Sequence, residues 1–562
     1  MKICVVGAGV SGLVVLKELL DEGHEAVCFE QEEREGGVFN HPKGIAYDSM
    51  LLTVSQYFMS YSSLPPIEEE RRAYWTCQRY ARYLREFAEK FGLFEQIEFN
   101  TKVTGIEPLD DERIRVNYQQ EAQLQSDEFD AVAICRGAFR LDTPRLPDIP
   151  DLSRFTGKWI HSGMYKSPEP FKGLRVLCVG IGETSSDVTS QISEVAASCT
   201  LSMRSYPELR QRYPATGDTI DAASNRFWHW LPLTIRDRLR KHKTPKEQPP
   251  SARAHMVKEW SRKSGGYKST QKNDDFIDYV LDGRIRVLAP STIERLEGRM
   301  VIFEDGTTME VDVIVFCTGY KESAIPPGWL GGVQIPDVRQ LYKHAFHPSL
   351  GSRVAFVGWA RPRQGGFPVC SEMVARYFSL LCSGKRKLPP EDEMRQVIAE
   401  DCIREDEWFA NAKYVRTLVH YTRYMDDMAE LIGCLPNLED YLDSPELLFH
   451  LVFGSNLAIT YRLCGPHATP ELARRVITSL PVHPRFSNDI LDAVLEISLL
   501  QKLETALAKS VSAAIRKHLG LPETWSKQRS DALFRDEFGD DIRAAERLLV
   551  RQESDMRQSN VC

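Results

Sequence analysis

The chain has 562 residues, room for roughly two to four domains with substantial cores. Its 42% hydrophobic and 27% charged content is that of a globular enzyme, and 71 basic against 79 acidic residues leave a net charge of -8, which offers no electrostatic footprint for nucleic acid. None of the 13 cysteines is paired with another at a two-residue spacing, which argues against a Cys-x-x-Cys redox centre, a zinc ribbon or a disulfide framework; no metal is expected, and a reducing, cytoplasmic setting is the simplest.

In chain order, Met1-Lys2 leads straight into the apolar run Ile3-Cys4-Val5-Val6, so no secretory leader is expected. The run ends in Gly7-Ala8-Gly9-Val10-Ser11-Gly12, a glycine turn between a buried strand and a helix. In such a turn Gly7 permits the tight bend, Gly9 lets backbone amides approach a diphosphate, and Gly12 allows close helix–strand packing. The helix start adds open N–H groups and a positive dipole end. The next strand, Ala26-Val27-Cys28-Phe29, ends in Glu30. A carboxylate there accepts from ribose hydroxyls and repels a 2′-phosphate, so this site should hold FAD or NAD rather than NADP. Gly37, in Glu35-Gly36-Gly37, allows a second close backbone approach.

A second unit repeats the pattern. Val176-Leu177-Cys178-Val179 runs into Gly180-Ile181-Gly182-Glu183-Thr184-Ser185, with Ser185 in place of the third glycine. The following strand ends in Arg204, near the place Glu30 takes in the first unit, where its planar fork suits a 2′-phosphate. Site two is therefore expected to prefer NADPH, held by Gly180, Gly182, Thr184, Ser185 and Arg204. Each unit has a return strand, Phe129 to Gly137 and Val311 to Tyr320; the second ends in Thr318-Gly319 and follows a hairpin signal at Gly306. The fold class is α/β: two Rossmann-like dinucleotide domains, the second nested in the first, with a helical C-terminal extension. We expect the first domain at 1–154 and 325–395, and the second at 155–324 with a helical insertion at about 207–267 over the active site. A helical region should fill 396–562, with Trp408, Tyr414, Leu418, Tyr421 and Tyr424 on one face and an amphipathic helix over Asn488 to Leu519. That helix is expected to pack on the core or to form a homo-oligomer interface. Leu447 to Ile459 is too short and too polar to span a bilayer, so no membrane span is expected.

Between the two loops lie Phe155, Gly157, His161, Ser162 and Tyr165, matching the F-x-G-x-x-x-H-S-x-x-Y pattern of the flavin-containing monooxygenases. The chain resembles that family further at Tyr47-Asp48-Ser49 with Phe58 and Leu64-Pro65-Pro66, at Glu372, Arg376 and Leu388-Pro389, and at Tyr461-Arg462-Leu463-Cys464-Gly465-Pro466. The resemblance runs from Met1 to about Ile477. It departs at Thr53, where the family places an asparagine beside the flavin, and at Arg136, where it generally has a small residue.

The resemblance implies FAD at site one and NADPH at site two, with dioxygen as co-substrate. Oxygen would pass from a C4a-hydroperoxyflavin to a nucleophilic nitrogen or sulfur of a small molecule, an N- or S-hydroxylation in which the cofactor carries the hard chemistry. Thr53 and Gln364, the latter in the turn after Val354 to Gly358, are expected beside the flavin as the catalytic positions. His161 is expected to be structural, and Asp187 to make local bonds. Baeyer–Villiger oxygenation of a ketone is the alternative, although Ser162 after His161 favours the amine and sulfide group. An NADPH oxidase that releases peroxide is kept open by Thr53, and a non-catalytic flavoprotein is disfavoured by two complete nucleotide loops.

Overall fold

The computed structural model describes residues 1–65, 70, 73–140, 142–150, 152–213, 218–231, 236, 251–264, 270–321, 325–363, 365–412, 415–480, 482, 495, 499 and 502–521. The chain forms two compact units. One comprises Met1–Ala222, Pro249–Leu435 and Leu457–Ala468, the other Ala223–Gln248, Pro436–Asn456 and Thr469–Cys562.

The first unit contains two parallel sheets. Strand β1 (Lys2–Val6) leads through helix α1 (Val10–Asp21) to β2 (Glu25–Phe29). Helix α2 (Gln56–Met59) and helix α3 (Cys77–Lys90) precede β3 (Ile97–Glu98), an antiparallel meander β4 (Thr101–Pro108), β5 (Ile114–Gln120) and β6 (Gln123–Phe129), and the return strand β7 (Ala131–Ile134). Ile3 to Val5 and all of β7 are fully buried, as the continuous apolar runs of a two-sided parallel sheet require.

The second sheet is built from β8 (Lys158–His161), β9 (Arg175–Val179), β10 (Ser198–Ser202), β13 (Ile285–Leu288) and β17 (Val313–Phe316), in the order β13-β10-β9-β17-β8, all parallel. Helix α4 (Glu183–Val195) joins β9 to β10. Between β10 and β13 lie the short pair β11 (Glu208–Leu209) and β12 (Thr270–Gln271), and helices α6 (Ala252–Lys263) and α7 (Asp274–Leu281). Strands β14 (Ile293–Glu297), β15 (Met300–Phe303) and β16 (Thr308–Glu310) form an antiparallel meander whose last turn carries Gly306 at φ +81°, the conformation glycine supplies without strain. The chain then returns to the first sheet as β18 (Val354–Phe356), giving the order β18-β7-β1-β2-β3.

Helix α8 (Phe367–Cys382) packs along α1. Phe29, Ile106, Val116, Phe129, Phe356 and Trp359 fill the core shared by the first sheet and its meander. Beside α1 and α8 is a buried charge cluster. Arg462 donates from Nη2 to Glu18 Oε1 at 2.5 Å and to Glu372 Oε1 at 3.0 Å, and from Nε to Ser62 Oγ at 2.7 Å. Arg376 donates to the Tyr461 carbonyl at 2.9 Å. The Glu372–Arg376 and Tyr461–Arg462 segments therefore meet because each supplies the countercharge or acceptor that the other, once buried, lacks.

Beyond α8 come helix α9 (Glu391–Trp408), strand β20 (Leu418–Val419), which pairs with β19 (Arg361–Pro362) from before α8, and helix α10 (Tyr421–Ile432). The expected single face of Trp408, Leu418, Tyr421 and Tyr424 is thus divided among α9, β20 and α10, while Tyr414 lies outside the described residues. A helix-like spacing had run across two element boundaries.

The second unit is helical where described: α5 (Arg226–Trp230), α11 (Pro445–Phe453), α12 (Pro470–Ser479) and α13 (Thr505–Leu519). Helix α11 packs against the other three, with Phe227 and Phe453 at 4.7 Å between ring centroids. Within the helix expected over 488–519, α13 spans Thr505–Leu519. No described helix is long and apolar enough to cross a membrane.

Candidate functional site

The two glycine loops have nearly the same backbone. Gly7 and Gly180 take φ of +101° and +103°, and their N–H groups donate to Phe29 and Ser202 carbonyls at 2.8 and 2.9 Å. A side chain on either would meet the return strand, since an added Cβ would lie 3.0 Å from Cys135 O at Gly7 and 2.6 Å from Cys317 O at Gly180. Gly9 and Gly182 are the N-cap residues of α1 and α4, and neither helix has a side-chain cap. Their first-turn N–H groups are thus free of the side-chain partner that usually satisfies them, the arrangement suited to an anion.

At the third position the loops differ. A Cβ on Gly12 would lie 1.7 Å from Gly7 O, so α1 approaches its loop more closely than any side chain allows. In the second loop Ser185 donates from Oγ to Gly180 O at 2.7 Å. The hydroxyl replaces a close packing contact with a hydrogen bond, which accounts for the missing glycine.

Gly37 faces Gly9 across the first cradle: added Cβ atoms would reach 3.2 Å from Gly9 Cα and 3.5 Å from Gly37 Cα respectively. Gly36 fixes this approach by donating to Ala8 O at 3.0 Å. Glu30 is buried at the end of β2. It accepts from Ala8 N–H at 2.7 Å and from Glu32 N–H at 3.0 Å; burial pushes its carboxyl pKa up, against these bonds. The carboxylate therefore shapes the loop. A dinucleotide diphosphate fits this glycine cradle.

In the second unit the pairing of Val179 with Ser202 matches that of Val6 with Phe29. The residue equivalent to Glu30 is therefore Met203, and Arg204 is one position further on, exposed. Thr184 is exposed in the first turn of α4. Thr318 and Gly319 continue from β17 beside Gly180; the Thr318 hydroxyl donates to Arg145 O, and its methyl lies 3.5 Å from where a Gly180 side chain would start.

His161 ends β8. Gly163 N–H donates to its Nδ1 at 3.2 Å, which leaves Nε2 to carry the proton and donate to Gly319 O at 2.9 Å. Burial lowers its pKa, consistent with a neutral ring. Both nitrogens are committed to backbone, so His161 joins the linker to the end of β17 as expected of a structural residue. Gly157 serves packing too: a Cβ there would fall 2.5 Å from Phe155 Cζ and 2.6 Å from Asp312 O.

Segment 44–55 is tied to the second sheet's elements by bonds that no local pattern announces. Asp48 N–H donates to Lys166 O at 2.9 Å, Lys166 Nζ to Ala46 O at 2.9 Å, and Ser49 Oγ to Gln191 Oε1 at 2.8 Å. Asp187, expected to bond locally, instead accepts from Tyr47 OH at 2.7 Å and Asn273 Nδ2 at 2.6 Å, with Arg212 at 3.8 Å. Burial raises the Asp187 pKa, and the Arg212 charge with the two hydrogen bonds opposes that rise.

Thr53 is half-buried, and its carbonyl accepts from Lys272 Nζ at 2.6 Å. The same ammonium is 3.7 Å from Glu183, the first residue of α4. Ser55 N–H donates to Asp221 Oδ2 at 2.7 Å. Lys272 thus links the second glycine loop to the segment carrying Thr53. Sequence reasoning missed Arg212 and Asp221, in the insertion, and Lys272, just beyond it, because no spacing marks them. Gln364 lies outside the described residues. Among the described residues no cluster suits a metal ion.

A model of the flavin-binding monooxygenase-like family matches residues 1–486. A 4-hydroxybenzoate brominase (decarboxylating) from Marinomonas mediterranea is 40% identical over 494 residues, covering 85% of this chain and 93% of the relative. A dimethylaniline monooxygenase (N-oxide-forming) 2 from Cavia porcellus is 31% identical over 498 residues, covering 85% and 91%. The solved S-allyl-L-cysteine S-oxygenase from Allium sativum shares the fold at a TM-score of 0.56 and 21% identity, over 85% of this chain and 99% of that one. With its two Rossmann-like sheets and this match across most of its length, the chain belongs to the flavin-binding monooxygenase-like family, as a flavin-dependent enzyme that uses FAD and NADPH.

Proposed function

We propose that the enzyme uses dioxygen to brominate a small phenolic carboxylic acid, with loss of the carboxyl group. The observation that carries this reading is the 40% identity to a decarboxylating 4-hydroxybenzoate brominase over 93% of its length, against 31% to the N-oxide-forming relative. The F-x-G-x-x-x-H-S linker, which favoured amines and sulfides in the sequence, packs on β17 and commits both His161 nitrogens to backbone. The packing of His161 and Gly157 supports a structural role for these two linker residues.

In this reading FAD lies on Gly7, Gly9, Gly12, Glu30 and Gly37, in a domain of residues 1–154 and 325–395. The two-piece origin of the first sheet, with β18 joining β7 from beyond the second sheet, supports that division. NADPH lies on Gly180, Gly182, Thr184, Ser185, Thr318 and Gly319, with Arg204 at its 2′-phosphate, in a domain of residues 155–324. The helical region begins at about 396.

Reduced FAD with dioxygen supplies an oxidising equivalent that bromide can accept. Each turnover then consumes one NADPH, one dioxygen, one bromide and two protons; the ring exchanges its carboxyl group for bromine, and carbon dioxide, two waters and NADP⁺ leave. The protein orients the partners and excludes water. Lys272 holds the Thr53 carbonyl beside the flavin, and the Tyr47–Asp187–Asn273 bonds fix the wall between the two cofactors; Gln364 keeps the catalytic role expected of it from the sequence.

The test is product analysis by mass spectrometry after incubation with NADPH, oxygen, bromide and 4-hydroxybenzoate, run beside tertiary-amine and thioether panels. A brominated phenol and carbon dioxide support the proposal. An N-oxide or sulfoxide with no bromide requirement supports oxygen transfer to nitrogen or sulfur, the second reading, which the 31% relative favours. NADPH consumed only to hydrogen peroxide across all panels contradicts both.

A further inference from the structure

Where the segment carrying Thr53 meets the 207–267 insertion, a buried carboxylate lacks a countercharge. Asp221 is 6% exposed. Its Oδ2 accepts from the Ser55 N–H at 2.7 Å, and its buried Oδ1 has no hydrogen-bond partner among the described residues. Ser55 is fully buried, and its Oγ has no partner either. It is the N-cap residue of α2, the position where a serine hydroxyl usually accepts from the helix, yet its side chain makes no cap bond.

The neighbouring cations are engaged elsewhere. Lys272 Nζ donates to the Thr53 carbonyl at 2.6 Å and lies 3.7 Å from Glu183, and Arg212 faces Asp187 at 3.8 Å. Burial, and then the Asp221 charge, raise the pKa of Tyr74, but that hydroxyl donates to the Arg212 carbonyl at 3.1 Å. A buried carboxylate with one hydrogen bond and no cation is unfavourable in the protein alone, and so is a buried hydroxyl with none.

One ligand group relieves both. The carboxylate only accepts, whereas the serine hydroxyl also donates. An O–H group fits the pair, giving its hydrogen to Asp221 Oδ1 and taking the Ser55 hydrogen on its oxygen. An ammonium has no lone pair for Ser55, and an anion is repelled by Asp221. Ser55 is two residues beyond Thr53, at most about 7 Å along the chain, and Lys272 ties Thr53 to the first residue of α4 behind the second glycine loop. The pair therefore lies where the two nucleotide units meet.

We propose that Asp221 and Ser55 seat the phenolic hydroxyl of the substrate, with Asp221 as the base that takes its proton. The inference rests on the reading of the substrate as a phenolic acid and adds the residues that hold it. Asp221 and Ser55 are 166 residues apart in sequence, so the hydroxyl is seated between two pieces of chain that can separate to admit it. An electrophilic bromine, formed from bromide by the oxidising equivalent of reduced FAD and dioxygen, adds to the ring carbon para to the hydroxyl. A ring electron pair makes the C–Br bond, the O–H pair becomes the second C–O bond of a ring ketone, and the proton passes to Asp221 Oδ1. Loss of carbon dioxide returns the pair of the broken C–C bond to the ring. The C–O double bond opens, and the oxygen takes its proton back, leaving Asp221 ionised for the next turnover.

The experiment uses the FAD-loaded full chain as wild type, Asp221→Asn and Ser55→Ala. Calorimetry measures binding of 4-hydroxybenzoate and of 4-methoxybenzoate, which lacks the hydroxyl proton, and mass spectrometry follows brominated phenol during turnover. In Asp221→Asn the amide oxygen can keep the Ser55 N–H bond while its NH2, a donor only, faces the ligand. Wild type should favour the hydroxyl compound about tenfold or more, the size of one hydrogen bond to a charged acceptor. Asp221→Asn should keep its flavin content, lose that preference and form brominated phenol about a hundredfold more slowly. Ser55→Ala should lose part of the preference.

A wild type that binds both compounds within about twofold, or an Asp221→Asn that keeps the hydroxyl preference and brominates at the wild-type rate, overturns the proposal. If Asp221→Asn loses its flavin, Ser55→Ala decides: an undiminished preference there overturns the proposal, and a loss of about threefold or more upholds it. A hydroxyl preference that depends on Asp221 in an enzyme forming no brominated phenol upholds the site and overturns the bromination reading alone.

Discussion

Replacing Gly9 and Gly12 separately with alanine should divide cofactor binding from folding, although both belong to one loop. At Gly12 the new Cβ would lie 1.7 Å from Gly7 O and 2.8 Å from Gly7 C, both rigid backbone atoms. Restoring a tolerable contact requires α1 to recede by about 1.5 Å, and a close-packed interior resists such a shift. Gly12 to Leu19 are buried and α1 lies along α8, so the helix has nowhere to go. The cost should reach or exceed the upper end of overpacking, about 3 kcal/mol. At Gly9 the geometry is different. Its φ is -79°, which any residue adopts, and a Cβ would meet Gly37 Cα at an ordinary 3.5 Å. Gly9→Ala should therefore fold within about 1 kcal/mol of wild type, as non-clashing substitutions do, yet place a methyl where the diphosphate must approach. The assay is the flavin-to-protein absorbance ratio of each purified variant, with unfolding of the stripped protein measured in parallel. Wild-type flavin content in Gly9→Ala, or wild-type stability in Gly12→Ala, would refute the reasoning.

Other residues give equally direct expectations. Arg204→Ala should raise the NADPH Michaelis constant and cut the preference over NADH about tenfold, the size of one charge-assisted contact; unchanged discrimination in steady-state kinetics would place the 2′-phosphate elsewhere. Lys272→Met removes the ammonium that holds the Thr53 carbonyl, so it should leave FAD content intact while raising the share of NADPH electrons recovered as hydrogen peroxide, and an unchanged peroxide yield would deny Lys272 this role. Glu18→Gln should destabilise the protein by about 3–5 kcal/mol at neutral pH, because it leaves Arg462 short of a buried countercharge. Burial opposes the Glu18 charge, but Arg462 and Lys17 overcome it and hold the carboxyl at about 2 against an ordinary 4.5. The stabilisation is therefore present above pH 4.5 and lost as pH falls toward 2, so the gap between wild type and Glu18→Gln should close over that interval in denaturant melts.

Much of the site was legible because short-range rules governed it. Two apolar runs ending in glycine turns defined both nucleotide loops, and Gly7, Gly12 and Gly180 prove to be glycine for the backbone contacts those rules describe. Ser185 was legible as a departure, but its hydrogen bond to Gly180 O depends on a close approach of helix and loop that no residue pattern announces. Arg204 was found by counting from its loop, and the strand register then set it one position beyond the equivalent of Glu30. Lys272 and Asp221, and the true partners of Asp187, were hidden for a different reason. Tyr47, Thr53 and Ser55, to which Asp187, Lys272 and Asp221 bond, are more than a hundred residues away in the chain, and a lone lysine or aspartate in an irregular stretch carries no periodicity. The aromatic spacing after Trp408 misled because helix-like intervals continued across the breaks between α9, β20 and α10. Burial of Glu18, Glu372 and Arg462 in one cluster was likewise invisible, since each reads locally as an ordinary surface charge on a helix or turn.

The measurement that tests the proposed chemistry most directly is the isotopic composition of the product formed from 4-hydroxybenzoate under ¹⁸O₂, with bromide present and absent. Bromination and oxygenation share the fold, both cofactors and the consumption of oxygen, but they differ in where the oxygen atoms finish. The account predicts a product with the bromine isotope pattern, no ¹⁸O, and both labelled oxygens recovered in water, with no organic product formed when bromide is withheld. A bromine-free product carrying one ¹⁸O, formed equally well without bromide, would contradict it.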